Sequence, residues 1–348
     1  MNPYILAILL FGLGLGTTIT FASSHWLLAW MGLEMNTLAI LPLMAQHHHP
    51  RAVEATTKYF LTQATAAAML LFASTTNAWL TGQWEIQQMT HPLPTTIIIL
   101  ALALKIGLAP LHAWLPEVLQ GLDLTTGLIL STWQKLAPFA LLLQINPVTP
   151  TILIILGLVS TLIGGWGGLN QTQLRKILAY SSIAHLGWMI LILQFSPSLT
   201  LLALLTYLIM TFSMFLAFKL NNSTTLNTLA VSSTKTPIIT SLAPLILLSL
   251  GGLPPLTGFM PKWMILQELT KQDLASIATI AALSALLSLY FYLRLSYAMT
   301  LTISPNNLTG TTPWRLSSTQ LATPLAIAIS MALCLLPLTP AILTLLIF

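Results

Sequence analysis

Apolar runs of about 20 residues, separated by short polar stretches, follow one another along nearly the whole chain. A helix of that length crosses the hydrocarbon core of a bilayer, so each run predicts one membrane span. The pattern gives eleven spans, at residues 3–22, 24–45, 58–80, 95–119, 124–143, 149–168, 175–194, 198–219, 238–268, 275–298 and 322–346. We therefore predict an all-α polytopic membrane protein.

The fourth and ninth runs contain the same proline-rich motif. Residues 108–117 read LAPLHAWLPE and residues 253–262 read LPPLTGFMPK, with four of ten positions identical. Proline removes a backbone donor and clashes with the preceding turn, so each motif predicts a broken helix. In a bilayer, open backbone is tolerated only where protein or a water-filled cavity surrounds it, which indicates a transport path.

The spacing of the two motifs predicts an internal repeat. Five crossings separate the broken spans, so the two spans run in opposite directions, as in inverted-topology repeats. We expect a first five-helix repeat at 1–145, with its break near 105–117, and a second, inverted repeat at 146–300, with its break near 251–262. A loop and a C-terminal membrane helix follow at 301–348.

The composition agrees with a membrane protein and excludes a soluble domain. The chain is 56% hydrophobic and 5% charged, whereas soluble domains are about 25% charged. The single cysteine, Cys334, excludes internal disulfides and a cysteine-ligated iron–sulfur cluster. Residues 1–22 lack the basic start and small-residue cleavage site of a signal peptide, so we expect a retained span.

The loop charges predict the orientation in the membrane. If the N-terminus starts on the positive side, that side holds eight basic residues and the other side holds only Lys271. This positive-inside bias predicts an N-terminus in the compartment of synthesis and a C-terminus on the opposite side. The basic residues are thus topology signals and do not indicate nucleic-acid binding. The eight are Arg51, Lys58, Arg175, Lys176, Lys219, Lys235, Arg294 and Arg315.

Two glycine clusters and one histidine run have structural interpretations. The glycines lie inside predicted membrane helices with no preceding strand, so they indicate helix packing and not a nucleotide loop. Consecutive histidines cannot share one helix face, so the histidine run indicates a solvated loop more than a metal site. The residues are Gly12, Gly14 and Gly16; Gly164, Gly165, Gly167 and Gly168; and His47, His48 and His49.

Four charged residues lie at membrane depth: Glu34, Lys105, Lys135 and Lys262. A charge at the bilayer centre costs about 2.5–3.5 kcal/mol on insertion scales and commonly marks an ion or proton pathway. The alternative is structural, with a fixed Glu34–Lys105 ion pair joining two helices while the other two lysines reach towards the interface. Because reaching the interface from mid-span is unfavourable, we favour a proton path and expect Glu34 and Lys105 within ion-pair distance.

Two histidines are weaker members of the same set. His112 lies in the first broken motif, and His185 lies mid-span in the seventh run. A neutral imidazole relays a proton through its two nitrogens, but it also serves as a hydrogen-bonded packing residue. Glu117 and Asp123 lie at span ends, where we expect helix caps.

Five motifs in order resemble one family: WMGLEMNTLAILPLM with Glu34, KIGLAPLHAWLPEV with Lys105, STWQKLAPF with Lys135, LRKILAYSSIAHLGWM with His185, and LGGLPPLTGFMPKW with Lys262. Together they resemble the antiporter-like membrane-arm subunits of respiratory complex I, NADH:ubiquinone oxidoreductase. The resemblance covers essentially the whole chain. It implies proton translocation in the mitochondrial inner membrane and kinship with subunits of cation/proton antiporters.

The resemblance also assigns residues and partners. The family's key glutamate matches Glu34, its broken-helix lysine Lys105, its central lysine Lys135 and its exit-side lysine Lys262, while its hydrophilic axis passes near His112 and His185. Other membrane-arm and accessory subunits are the implied partners, and these are expected to hold the FMN, the iron–sulfur clusters and the ubiquinone. No cofactor is expected on this chain. Bacterial members of the family have three further N-terminal helices that this chain lacks. Neighbouring subunits are therefore expected to cover the outer face of the first repeat.

Two other functions remain open on the sequence alone. One is a stand-alone secondary cation/proton antiporter, which would transport Na⁺ or K⁺ in liposomes without partners. The other is a structural membrane scaffold, in which neutralising the mid-membrane charges would leave pumping intact.

Overall fold

The computed structural model describes residues 2–46, 49–145, 150–234, 236–301 and 322–347. Within these ranges the regular secondary structure is helical and no sheet is formed. The chain packs as two units, Met1–Leu156 and Gly157–Phe348.

The first unit contains seven complete helices in its described part. Three of them, α1, α3 and α4, begin with proline as the first helical residue, where its missing N–H costs nothing. The helices are α1 (Pro3–Ala22), α2 (Trp26–Met44), α3 (Pro50–Thr81), α4 (Pro92–Ile106), α5 (Trp114–Gly121), α6 (Leu124–Ser131) and α7 (Trp133–Gln144).

The division between the units falls within α8, and the second unit holds the remaining helices. They are α8 (Pro150–Gly167), α9 (Leu174–Ile192), α10 (Pro197–Leu220), α11 (Leu226–Ala230), α12 (Pro237–Gly251), α13 (Phe259–Lys271), α14 (Ala275–Leu301), α15 (Ala322–Cys334) and α16 (Thr339–Ile347). Among these, α10 packs against α9, α12, α13, α15 and α16.

Both predicted helix breaks are present and have the same local geometry. Helix α4 ends at Gly107 (φ +85°) and α12 ends at Gly252 (φ +82°), which is a left-handed conformation that suits glycine. After each glycine the next N–H bonds back to a carbonyl five residues earlier: Leu108 to Ala103 (2.9 Å) and Leu253 to Leu248 (3.3 Å). The two motifs thus share a helix cap as well as their prolines.

Two predicted spans are interrupted where the sequence indicated a single helix. The fifth is divided at Thr132, whose N–H (3.0 Å) and hydroxyl (2.7 Å) both bond to the Leu128 carbonyl. The last is bent by 66° between α15 and α16. There Pro337 lacks the N–H needed to continue the helix.

Fewer helices meet the criteria for a membrane span than the eleven predicted. In the described part of the chain, five helices are long and apolar enough to cross a membrane: α1, α2, α8, α10 and α14. The number becomes six if the bent pair of α15 and α16 is counted as one span. The two broken spans do not qualify, because each of their half-helices (α4, α5, α12 and α13) is too short to cross the membrane alone. Helix α3 is long but carries Arg51, Glu54 and Lys58 near its start.

All of the clustered glycines except Gly14 lie at close packing contacts. A Cβ on Gly16 would lie 2.8 Å from the Gly32 carbonyl oxygen, so α1 and α2 approach at backbone distance. A Cβ on Gly164 would lie 2.6 Å from the Ala184 nitrogen, which brings α8 equally close to α9. Gly14 has nothing within 4 Å of such a Cβ and is not a contact. Close approach through small residues explains these helix pairs.

Some sequence interpretations fall outside the described residues. These include His47, His48, Lys235 and Arg315. His49 is described, and its Nδ1 accepts a hydrogen bond from the Arg51 N–H (3.3 Å) at the start of α3.

Candidate functional site

Glu34 of α2 and Lys105 of α4 form the ion pair expected from the sequence. Lys105 Nζ lies 3.7 Å from Glu34 Oε1, and the side chains are 2% and 24% exposed. The Thr37 hydroxyl, one turn along α2, donates to Glu34 Oε2 (3.2 Å). The carboxylate therefore has one oxygen facing the lysine and the other held by its own helix.

The end of α4 is stabilised by side chains from two neighbouring elements. The Trp114 indole donates to the Leu104 carbonyl (3.1 Å), and the Gln63 amide donates to the Lys105 carbonyl (3.5 Å). The last carbonyls of a helix have no intrahelical partners, so these donors satisfy groups exposed by the break. They also fix the backbone that carries Lys105.

Lys135 lies in the first turn of α7, directly after the interruption at Thr132, and is 3% exposed. With Lys105 it lines a small cavity of about 20 Å³, which has room for about one water molecule. The remaining walls are Asn36, Thr37, Tyr59, Gln63 and Gln134, with Leu33, Ile106, Trp114, Leu115, Leu130 and Pro138. One polar cavity thus brings two of the predicted lysines together.

Lys262 lies in the first turn of α13 and is held differently from Lys105. Its Nζ donates to the carbonyls of Gly251 (2.9 Å) and Leu250 (3.5 Å), the last residues of α12. The C-terminal end of a helix carries partial negative charge, so it stabilises an ammonium ion there. Lys262 therefore joins the two halves of the second broken helix.

The two histidines occupy different surroundings. His112, half-buried in the segment between α4 and α5, donates from Nδ1 to the Pro110 carbonyl (3.2 Å). His185 of α9 lies 3.5 Å through Nε2 from the Tyr292 hydroxyl, and its ring centroid is 5.6 Å from that of Tyr207. The tyrosines also hydrogen bond with Ser181 and Ser182. His185 thus belongs to a polar cluster of the second unit.

Glu117 and Lys58 form an exposed ion-pair cluster outside the cavity. Lys58 Nζ lies 2.7 Å from Glu54 Oε1 and 2.8 Å from Glu117 Oε2, which ties α3 to α5. The hydrogen bond and charge of Lys58 hold the pKa of Glu54 below its usual range. Asp123 occupies the N-cap position of α6, but its side chain makes no capping hydrogen bond, so the expected cap is wrong in that detail.

The site also contains uncharged polar residues that were not predicted from the sequence. Asn36, Gln63 and Gln134 line the cavity, and Tyr207 and Tyr292 contact His185. A usable signal was present, because Asn36 and Gln134 lie within two residues of Glu34 and Lys135 in otherwise apolar runs.

Two models of known families together match residues 23–343 of this chain. The family model "NADH:quinone oxidoreductase/Mrp antiporter, TM" matches residues 23–288, and the model "NADH dehydrogenase subunit 2 C-terminus" matches 289–343. NADH-ubiquinone oxidoreductase chain 2 of Tetraodon nigroviridis is 81% identical, and that of Salmo salar is 74% identical. Each alignment covers 99% of both chains.

Two solved structures contain chains with the same fold as this one. A chain of respiratory complex I from Thermus thermophilus, solved with bound aureothin, is 29% identical with a TM-score of 0.88, covering 99% of this chain and 80% of that one. A chain of the Mrp complex from Dietzia sp. DQ12-45-1b shares the fold, at 18% identity and a TM-score of 0.75, over 97% of this chain and 74% of that one. The chain belongs to the NADH:quinone oxidoreductase/Mrp antiporter family of membrane proteins, in the branch of the chain 2 subunits.

Proposed function

We propose that this chain is a proton-translocating subunit in the membrane arm of NADH:ubiquinone oxidoreductase, and that its buried charges carry the protons. The chain 2 relatives at 67–81% identity support the subunit assignment. The observation that supports the residue assignment is the Glu34–Lys105 ion pair, whose buried lysine shares a cavity with Lys135.

The ion pair loads and releases a proton in this scheme. Burial disfavours the charged ammonium of Lys105, and the neighbouring carboxylate of Glu34 favours it. When Glu34 moves away or is neutralised, Lys105 loses that stabilisation and releases a proton into the cavity. Lys135, on the same cavity, is the acceptor.

Lys262 is the corresponding relay residue of the second unit. The carbonyl end of α12 stabilises its charged form, and the opened backbone at Gly252 offers a route for water. His185, with its tyrosine neighbours, and His112 are secondary relay candidates. Lys135 and Lys262 act in sequence during turnover.

Eleven spans in two inverted five-helix repeats complete the architecture, with repeats at 1–145 and 146–300 and a C-terminal segment at 301–348. The matched caps at Gly107 and Gly252 support the repeat. The protein resides in the mitochondrial inner membrane with its N-terminus in the matrix and its C-terminus on the intermembrane-space side. The bias of the loop charges supports this orientation.

The redox chemistry belongs to partner subunits in this scheme. NADH oxidation, FMN, the iron–sulfur clusters and ubiquinone are assigned to them, and the chain's own part is to move protons. Its partners are the other membrane-arm and accessory subunits.

The relay assignment is tested with Lys135→Met and Lys262→Met in the assembled complex. Methionine keeps the side-chain length and removes the titrating charge. Structural lysines would tolerate this change, because an apolar isostere avoids desolvation. Relay lysines would give normal assembly and loss of coupled turnover, measured as NADH oxidation together with proton translocation. Wild-type activity and stoichiometry in both variants would return the lysines to a structural role.

A further inference from the structure

Asn36 of α2 is a buried amide whose polar atoms are unused. The residue is 2% exposed, and neither its Nδ2 nor its Oδ1 has a hydrogen-bond partner among the described residues. Buried side-chain amides are normally satisfied by protein or by ordered water. An asparagine left in this state on a cavity wall therefore points to a ligand that enters the cavity.

The neighbouring amides are already engaged. Gln63 donates to the Lys105 carbonyl, and Gln134 donates to the backbone carbonyl of Asn36 itself (3.2 Å). The Gln134 contact joins α7 to α2 and fixes the backbone that carries Asn36. The carboxamide of Asn36 thus remains available on a wall shared with Lys105 and Lys135.

The opposite side of Asn36 is closed by α1. A Cβ placed on Gly16 would lie 2.9 Å from Asn36 Cγ and would meet Oδ1. The amide has room only because residue 16 has no side chain, and it cannot turn further in that direction. The Oδ1 oxygen is the atom that faces Gly16, so the N–H groups of Nδ2 are the part of the amide left for the cavity.

We propose that Asn36 is a positioning residue that binds water between Lys105 and Lys135. A carboxamide has two N–H donors, and those of Asn36 bind the oxygen of a water molecule and fix its position in the cavity. The oriented water accepts a proton from the Lys105 ammonium and passes one of its own protons to the neutral Lys135 amine. One N–H bond breaks at Lys105, one forms at Lys135, and the water is unchanged. This inference rests on the proposed proton path.

The test replaces Asn36 with leucine and with serine in the assembled complex. Leucine has a similar size and no polar atoms, so we expect assembly and a loss of coupled proton translocation of about tenfold or more, because misplaced reaction partners lose rate steeply. Serine keeps a hydroxyl and leaves space for a second water, so we expect it to restore most of the rate. A normal rate with leucine overturns the inference, as does failure of serine to restore it.

Asn77→Leu is the matched control. Asn77 is also a fully buried asparagine of the first unit, and its Oδ1 too has no hydrogen-bond partner among the described residues, but its Nδ2 donates to the Gln83 carbonyl (3.2 Å) and it does not line the cavity. Its replacement removes a structural hydrogen bond, so it should lower the amount of complex and leave the protons moved per NADH unchanged. An equal loss of that ratio in both leucine variants would mean that Asn36 has no special role.

Two further measurements separate this inference from the proposed function. If Lys135→Met abolishes translocation while Asn36→Leu does not, the relay stands and the role of Asn36 is wrong. If Lys135→Met also behaves as wild type, the proposed function itself fails. Independently of any variant, a high-resolution structure of the wild-type complex should show a water within hydrogen-bond distance of the Asn36 carboxamide. Its absence there would overturn the inference.

Discussion

At the scale of single residues, the chain stabilises its buried lysines in two ways. Lys105 faces a carboxylate, and Lys262 faces the carbonyls at the end of α12. A carboxylate changes its charge and moves with its own helix, whereas a carbonyl keeps its dipole. The first arrangement therefore suits a pair whose interaction changes during turnover, and the second suits a lysine that keeps a constant partner.

Glu34→Gln should reduce the amount of assembled complex more than Glu34→Gln combined with Lys105→Met. The single change leaves an ammonium that is 2% exposed without its counter-ion, and such losses cost about 3–5 kcal/mol. The double change removes both charges, so assembly recovers while proton translocation stays lost. Native electrophoresis measures assembly. A double variant that assembles no better than the single one would show that the pair contributes nothing to stability.

The charged residues of the site, such as Glu34 and Lys105, could be predicted from the sequence. A charge inside an apolar run is costly in hydrocarbon, so its presence there indicates a function. Asn36 could not be predicted, because a single amide in an apolar run has a small cost and many possible partners. The shared cavity of Lys105 and Lys135 depends on how α4 and α7 pack. That packing comes from side-chain fit across helices far apart in the sequence, which a hydrophobic pattern does not encode.

At the scale of elements, the two broken helices depend on their glycine caps. Gly107 and Gly252 adopt left-handed backbone conformations. The Trp114 indole donates a hydrogen bond to the Leu104 carbonyl, which the first break leaves without an intrahelical partner. The prolines in each motif prevent the helix from continuing, while the glycine ends it in a defined direction. Prolines therefore predict that a break exists, and the cap determines where the first half-helix ends.

Gly107→Ala should lower assembly more than Gly82→Ala. Both glycines have positive φ, at +85° and +74°, so alanine introduces similar strain of about 1–2 kcal/mol in each. A Cβ at residue 107 would also lie 2.7 Å from Leu115 Cδ1, whereas one at residue 82 would have nothing within 4 Å. The amount of assembled complex and its thermal stability measure the difference. Equal losses in the two variants would contradict a role for close packing at the first break.

The break at Thr132 was not predictable in the same way. No proline lies at that position; the backbone of Thr132 (φ −110°, ψ −69°) departs from ordinary helical angles while its N–H still bonds to the Leu128 and Ile129 carbonyls. Threonine also occurs in many continuous helices, so its presence does not distinguish the two outcomes. As a result, Lys135 was expected mid-helix and lies in the first turn of α7 instead.

At the scale of the whole molecule, the helical membrane class followed from composition and the family followed from five ordered motifs. The number of spans did not follow as directly, because the half-helices are individually too short to qualify. Counting them as crossings requires each broken pair to pass through the bilayer together. The orientation of the chain tests that assumption.

Tags on the two termini should lie on opposite sides of the inner membrane. The odd number of predicted spans and the eight-to-one bias of basic residues motivate this expectation. In mitoplasts with the outer membrane removed, added protease should digest a C-terminal tag and leave an N-terminal tag intact until detergent is added. Digestion of both tags before detergent would show an even number of crossings and contradict the count of eleven spans.

The contact between Gly16 and Gly32 has an electrical consequence for the first unit. Because α1 and α2 meet at backbone distance, no lipid chain fits between them at that contact. The outer face of α1 is apolar and exposed, with Ile8, Phe11 and Leu15. Helix α1 therefore closes the side of Asn36 that faces away from the cavity, and in the proposed proton path its apolar side chains would stand between a moving charge and the outer surface of the unit.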